Sequence, residues 1–513
     1  MRELRSGESA IRASLRVVKE HYGRIGAISA AVLAPCYWHA RIEAGDLASH
    51  VYNAWLGQLI EKGQAPGLYI ARQWYNALFD VTLLKLTNVV GLGWAEKVAV
   101  SACVLIFFWG AFALVGAAAR RAPWFLAPGI AMVAYGWTFH VGFMNYYVSL
   151  GFAFAAAALF WRGRKTDWIA GVLLALFSLL AHPLGAIWLA GIVAYVKAAE
   201  SVRGVWRWLL PLAAMLALAV ARVFVVHHFE AGHSITSHFY FFTGADQIAL
   251  FSIRYVWLAG VMSVLGLATV VFGLLTDREG AESRWAIRVP LELWVVSVFA
   301  AAILPNEVYL RFYAAPVSLL APRLTSTTAV LVLCIVACIE PRRRHFAGLA
   351  VCAAIFFAWV YQDTGTLNRM ETQASQLVDH LPAGQRVTAS IWFPLPAGGA
   401  GGYPSGPLKD YFTGISSVEH IVDRACIYHC FAYSDYEPAS RQFRIRVSEK
   451  NAIVTNSPDD SSLMGTGRYL VRPEDLPMAQ VCQCDEADRT KLCLRELRAG
   501  QLNGEGCYRP PSQ

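Results

Sequence analysis

Apolar residues come in long runs from about residue 25 to residue 361 and then stop. The runs fall at 25–40, 98–118, 123–139, 143–161, 168–181, 184–199, 208–226, 249–275, 289–305, 314–339 and 346–361, and each predicts a helix in an apolar medium. A helix needs roughly 20 apolar residues to cross a hydrocarbon core squarely. The pattern therefore predicts about 11 transmembrane helices over 25–361. Residues 362–513 lack such runs. They open with a turn at Leu381-Pro382-Ala383-Gly384, pass through a Gly- and Pro-rich loop at 394–407, and then alternate over short stretches such as Phe443 to Val447. The expected fold class is an α-helical polytopic membrane protein with a small C-terminal α/β or mostly β domain.

Between the first two runs lies a segment, 41–97, that is too polar to span a membrane and too apolar to be disordered. Asp46 to Lys62 predicts an amphipathic helix, with Leu47, Val51, Ala54, Trp55 and Leu59 set apart from Asp46, His50, Asn53 and Lys62. Lys62-Gly63-Gln64-Ala65-Pro66-Gly67 supplies the stop. A second stretch, 68–90, carries Trp74, Tyr75, Leu78, Phe79, Leu83 and Leu84 and is expected in the membrane interface.

Charge adds the orientation. The 513 residues are 56% hydrophobic and only 16% charged, where a soluble chain carries roughly 25%. Lys and Arg gather at the amino terminus (Arg2, Arg5, Arg12, Arg16, Lys19, Arg24), at Arg120-Arg121, at Arg162 to Lys165, at Lys197 to Arg207, at Arg278 to Arg288 and at Arg342-Arg343-Arg344. The loops near 140–142, 181–183 and 227–248 have neither residue. By the positive-inside rule the basic loops are cytoplasmic. The net charge of +8 is thus a matter of topology, and a nucleic-acid partner is not implied. Residues 1–24 read as a cytoplasmic amino terminus, and the first run reads as a signal anchor with no cleavage site. An odd number of spans then places 362–513 in the periplasm of a bacterial inner membrane.

Cysteine usage agrees. Five of the 11 cysteines (Cys36, Cys103, Cys334, Cys338, Cys352) lie in apolar runs, and six (Cys426, Cys430, Cys482, Cys484, Cys493, Cys507) lie in the tail. Six cysteines in one external domain suit disulfides, with about 15 pairings open. The alternative is a zinc site built from Cys426-x3-Cys430 and Cys482-x-Cys484.

Candidate chemistry centres on Gly45-Asp46 and His50, an acid and an imidazole four residues apart and therefore on one face of a helix. Asp46 is either a helix cap or a general base. His182-Pro183 stands at an outer hairpin, where His182 is a turn residue or a phosphate contact. Arg311, in the outer loop 305–313, is an interfacial anchor or a phosphate-binding fork. Glu307 and Asp80 are the candidate second acids. His227, His228, His233 and His238 are a solvated loop or a metal set, and the aromatic run 239–242 is expected to dip into the interface.

The arrangement resembles the GT-C superfamily, membrane glycosyltransferases that use lipid-linked sugar donors. The likeness rests on the basic amino terminus, the single span, Gly45-Asp46-x3-His50-x3-Ala54 with Gly63 following, His182-Pro183, and Arg311 before Pro316, over residues 1–361. It implies transfer of a sugar from a polyprenyl-phosphate donor to an extracytoplasmic acceptor glycan or lipid, with inversion. Asp46 would be the base, His50 its assistant, and Arg311 with His182 the donor-phosphate contacts. Many members pair two acids where this chain has Asp46-Leu47-Ala48, so the resemblance leaves a divalent metal (Mg or Mn) open. The rival readings are a lipid-sugar transporter or flippase, an oligosaccharide polymerase or ligase, and a non-catalytic scaffold. Transport is disfavoured by the absence of an internal repeat and of charges deep in the spans.

Overall fold

The computed structural model describes residues 10–501 apart from 164, 233–241, 277–280, 340–342, 392–417, 419, 449–450, 452, 456–470, 486–487 and 489. His233, His238, Phe239, Tyr240, Phe241, Cys507 and the loop 394–407 lie outside the described residues.

Every apolar run becomes helical. The helices are α1 (Ala10–Leu33), α2 (Leu47–Glu61), α3 (Leu78–Val90), α4 (Leu92–Ala119), α5 (Ala127–Ala134), α6 (Trp137–His140), α7 (Met144–Arg162), α8 (Trp168–Ala181), α9 (Pro183–Ser201), α10 (Val205–His228), α11 (Ile253–Thr276), α12 (Ala281–Ile303), α13 (Leu320–Ala337) and α14 (Arg343–Val378). Among the described residues, seven helices are long and apolar enough to cross a membrane: those of 92–119, 144–161, 183–201, 205–228, 253–272, 320–337 and 345–378.

Several runs differ from the expectation in their limits, the first of them, 25–40, because its α-helix ends at Leu33. The run 123–139 is broken between α5 and α6, because Gly136 brings the backbone against the Gln247 carbonyl, only 2.8 Å from where a Cβ would sit. The run 314–339 begins with extended chain. Val317 bridges Val308 there, and the helix starts only after Leu319 turns left-handed at φ 57°. The last run continues past its apolar part, so α14 extends for 36 residues, about 54 Å at 1.5 Å per residue.

At the centre, α4 crosses α7 at a pair of glycines. A Cβ on Gly110 would meet the Gly151 carbonyl oxygen at 2.2 Å, so only glycine permits that approach. Phe107, Tyr147 and Phe154 pack beside the crossing.

The tail supplies β4 (Arg386–Ser390), α15 (Ile421–Cys426), β5 (Phe431–Ala432), α16 (Glu437–Ser440), β6 (Ile445–Val447), β7 (Met478–Gln483) and β8 (Leu492–Glu496). Its sheet has the order β5-β4-β7-β8, with β4 parallel to both neighbours and β8 antiparallel to β7. Cys426 is bonded to Cys430 and Cys484 to Cys493, so the four-cysteine zinc set does not exist.

The tail does not stand apart. Strand β1 (Leu68–Ile70) pairs antiparallel with β6, Tyr69 opposite Arg446, so the start of 68–90 is tied to the tail. Helix α2 is buried on every side from Leu47 to Gly57. Its polar face meets tail acids where an amphipathic helix would meet water. Ser49 Oγ donates to Asp435 at 2.9 Å, and Asn53 Nδ2 donates to Asp435 at 3.0 Å and Glu437 at 3.0 Å.

A second polar seam lies beyond the amino end of α2. Arg424 of α15 reaches Glu371 of α14 at 3.0 Å, Glu96 of α4 at 3.2 Å and the Ile42 carbonyl at 2.7 Å. Glu43, pushed well above the usual carboxylate range by burial and then by Glu371, accepts from Asn368 at 2.8 Å.

Candidate functional site

The first turn of α2 is placed by glycine. Gly142 adopts φ +92°, and a Cβ there would lie 2.3 Å from the Asp46 nitrogen and 2.6 Å from the Ala44 oxygen. The Asp46 N–H donates to the Val141 carbonyl at 2.9 Å. Asp46 occupies the N-cap position of α2, yet its carboxylate makes no capping hydrogen bond. It faces a cavity of about 930 Å3 instead, with Oδ1 3.5 Å from His420 Nε2.

His50, one turn on, is held between acids. Its Nδ1 lies 2.7 Å from Asp80 and 3.8 Å from Glu437. Asn145 fixes this arrangement by donating to the other oxygen of Asp80 at 2.8 Å while accepting the Phe79 N–H at 2.9 Å. Burial opposes charge on His50, but Glu437 and Asp80 outweigh it and push the imidazole up to about 10. Glu437 itself is raised well above the usual range, chiefly by burial. His420 is a second cation of the same kind. Burial opposes its charge, and Asp423 at 2.7 Å, then Asp46, raise it well above an ordinary histidine.

Among the described lining residues there is one further cation. Arg323, in the first turn of α13, stacks over Phe143 at 3.8 Å and beside Tyr146 at 5.7 Å. Its Nε is buried without a hydrogen-bond partner among the described residues, and Asp46 and Tyr436 are among its electrostatic neighbours. His182 is also in the wall, its Nδ1 accepting the Leu184 N–H at 3.2 Å to cap α9. Burial, and then Arg323, push His182 well below an ordinary histidine, so it is neutral. Most of the remaining lining is apolar, with Asn76, Ser318 and Gln442 among its other polar residues. Leu179 and Ile187, 45% and 65% exposed, open the cavity sideways onto the bare faces of α8 and α9.

Of the residues singled out by sequence, Asp46, His50 and His182 line this one cavity, and Asp80 supports His50 from behind. Arg311 is exposed and is not a lining residue, although Leu310 and Phe312 on either side of it are. Glu307 sits in β3 (Glu307–Val308), packed on Gly232 of β2 (Ala231–Gly232), away from the lining. His228 bonds the Phe224 carbonyl at 2.9 Å and stacks on that ring, with His227 beside it. Among the described residues no group of three or more His, Cys, Asp or Glu is arranged to hold a metal. Of the carboxylates near Asp46, Asp80 is paired with His50 and Asp423 with His420, while Asp435 and Glu437 accept from Asn53.

Sequence reasoning missed Arg323, His420, Tyr436 and Glu437. Arg323 had a readable signal, an arginine inside the apolar run 314–339, which is costly and rarely idle and which the reading of spans without deep charges overlooked. The tail residues had none, because only tertiary packing brings them to α2. No protein family, curated protein or solved structure matches the chain.

Proposed function

We propose that this protein is a polytopic inner-membrane glycosyltransferase of GT-C architecture, its basic loops cytoplasmic and its tail periplasmic. It moves a sugar from a polyprenyl-phosphate donor to an extracytoplasmic glycan or lipid acceptor. One observation carries the reading: the Asp46 carboxylate sits at the helix start without capping it and faces a cavity that is lined largely by apolar residues, the exposed Leu179 and Ile187 among them.

In that cavity the donor's chain would enter past Leu179 and Ile187, leaving its phosphate near Arg323. A guanidinium with a buried, unpartnered nitrogen suits one phosphate group. The acceptor hydroxyl gives its proton to Asp46 as its oxygen bonds to the anomeric carbon. The bond from that carbon to the phosphate oxygen breaks, and the phosphate leaves with the electron pair beside Arg323. Attack from the face opposite the leaving group inverts the anomeric centre. His50, whose Nδ1 faces both Asp80 and Glu437, keeps the first turn of α2 charge-balanced.

A general base contributes roughly 10²–10⁴-fold. Asp46→Asn keeps shape and removes basicity, so release of labelled sugar from mixed polyprenyl-phosphate donors should fall at least about 100-fold with folding unchanged. Equal turnover in the two proteins would return Asp46 to the status of a helix start.

A further inference from the structure

Among the described residues, the carboxylate that faces the cavity lies within ion-pair distance of His420, which comes from the tail. His420 stands at the amino end of α15, 2% exposed, with Asp423 below it fully buried. Its two ring nitrogens point at two carboxylates, Nδ1 at Asp423 (2.7 Å) and Nε2 at Asp46 (3.5 Å). The Tyr436 ring lies against it at 5.8 Å. Other charged groups surround the pair. These are His50 and its partner Asp80 from α2 and α3, Asp435 and Glu437 from the tail, and Arg323 from α13. His50 is already bound to Asp80, and Arg323 lies on Phe143.

We propose that His420, oriented by Asp423, is the positioning residue that holds Asp46 ionised and in place, making the C-terminal domain a working part of the transfer site. The proposal rests on Asp46 being the base. A carboxylate beside an apolar cavity is desolvated and tends to take up a proton, which would disarm it. An imidazolium between two carboxylates reverses that tendency, because it donates to Asp423 and holds its positive charge 3.5 Å from Asp46. His420 retains both ring protons throughout. The acceptor's proton arrives on Asp46 and leaves through the cavity to water with the product, so His420 touches no reacting atom.

The test reads the protonation of Asp46 without needing turnover. The full-length protein in detergent is treated with a hydrophobic carbodiimide, which modifies protonated carboxyls, across a pH series. Label on the Asp46 peptide is then quantified by mass spectrometry, with Asp46→Asn as the blank. His420→Gln should raise the labelling midpoint by one pH unit or more, which is about tenfold more label near neutrality. Asp423→Asn should shift it in the same direction by less, and serves alone if His420→Gln is not monodisperse. A merely structural role would lower thermal stability and leave the midpoint where it was, and an unchanged midpoint in a folded variant overturns the proposal. A raised midpoint together with full sugar transfer by Asp46→Asn would sink the base assignment and leave the His420–Asp46 pair standing.

Discussion

Gly142→Ala tests whether backbone crowding sets the position of Asp46. The new methyl carbon would lie 2.3 Å from the Asp46 nitrogen, 2.6 Å from the Ala44 oxygen and 2.7 Å from the Leu47 nitrogen. All three are backbone atoms, so no flexible side chain can swing away. The residue also sits at φ +92°, where an L-residue costs roughly 1–2 kcal/mol. Forcing a methyl into a packed contact adds about 1–3 kcal/mol. The loss should therefore total about 2–5 kcal/mol if Asp46 stays put, or less if α2 moves instead. Gly191→Ala in α9 is the control, since nothing lies within 4 Å of its Cβ position and the residue is helical. There alanine should stabilise by about 0.5–1 kcal/mol. Thermal unfolding in detergent, followed by tryptophan fluorescence, should separate the two by several degrees. A shift of about 1 Å in a catalytic group costs on the order of 100-fold in rate. Sugar transfer by Gly142→Ala should thus fall well beyond what its lower Tm explains. A Gly142→Ala protein as stable as the Gly191→Ala control would refute the argument.

Other outcomes follow from the same geometry. Arg424→Gln leaves Glu371 and Glu96 without their shared cation, which should cost about 3–5 kcal/mol and loosen the tail; adding Glu371→Gln should restore part of it, read as a double-mutant cycle in Tm. His50, at about 10 when folded against 6.5 when unfolded, contributes stability that is complete below about pH 6.5 and lost as pH rises towards 10. The native Tm should fall over that window, His50→Gln should flatten the fall, and a flat native profile would contradict the pairing. Arg323→Gln should raise the KM for a polyprenyl-phosphate donor roughly 10-fold or more, as expected for losing a charged hydrogen bond, with Arg323→Lys intermediate; an unchanged KM would remove Arg323 from the phosphate's path.

Periodicity made the helices legible, and the first turn of α2 with it. Asp46 and His50 share a helix face by spacing alone, and Lys62 ends the helix as the glycines after it suggest. What sequence does not carry is long-range pairing. Residues 68–70 have the aromatic and aliphatic content of an interfacial segment, and only the register against Ile445 to Val447 makes them a strand. The polar face of α2 read as a wet face for the same reason: nothing local to Ser49 and Asn53 announces Asp435 and Glu437. Arg323 was obscured by an apolar run that starts six residues before its helix does. Once Leu319 is seen to break the chain, Arg323 falls in the first turn of α13, alongside the other ionisable groups around the cavity.

The tail also ties the two walls of the cavity to each other. On one side α15 presents His420 to Asp46, and α16 presents Glu437 to His50. On the other side Gln442 donates to the carbonyls of Ala315 and Pro316 at 2.9 and 2.8 Å, and the Ala314 N–H donates to Ser440 at 2.9 Å. Those residues are the extended lead-in to α13, so they set where Arg323 begins. Asp46 and Arg323, the proposed base and phosphate cation, belong to helices far apart in the chain and are therefore both referenced to one short tail segment, 420–442. A transfer reaction needs the attacking oxygen and the leaving phosphate aligned across one carbon, within tolerances of about 1 Å. Helices that meet across an open cavity do not hold such a distance by themselves. A strap hydrogen-bonded to both walls does, and that is why the covering domain reaches into the site with side chains from α15 and α16.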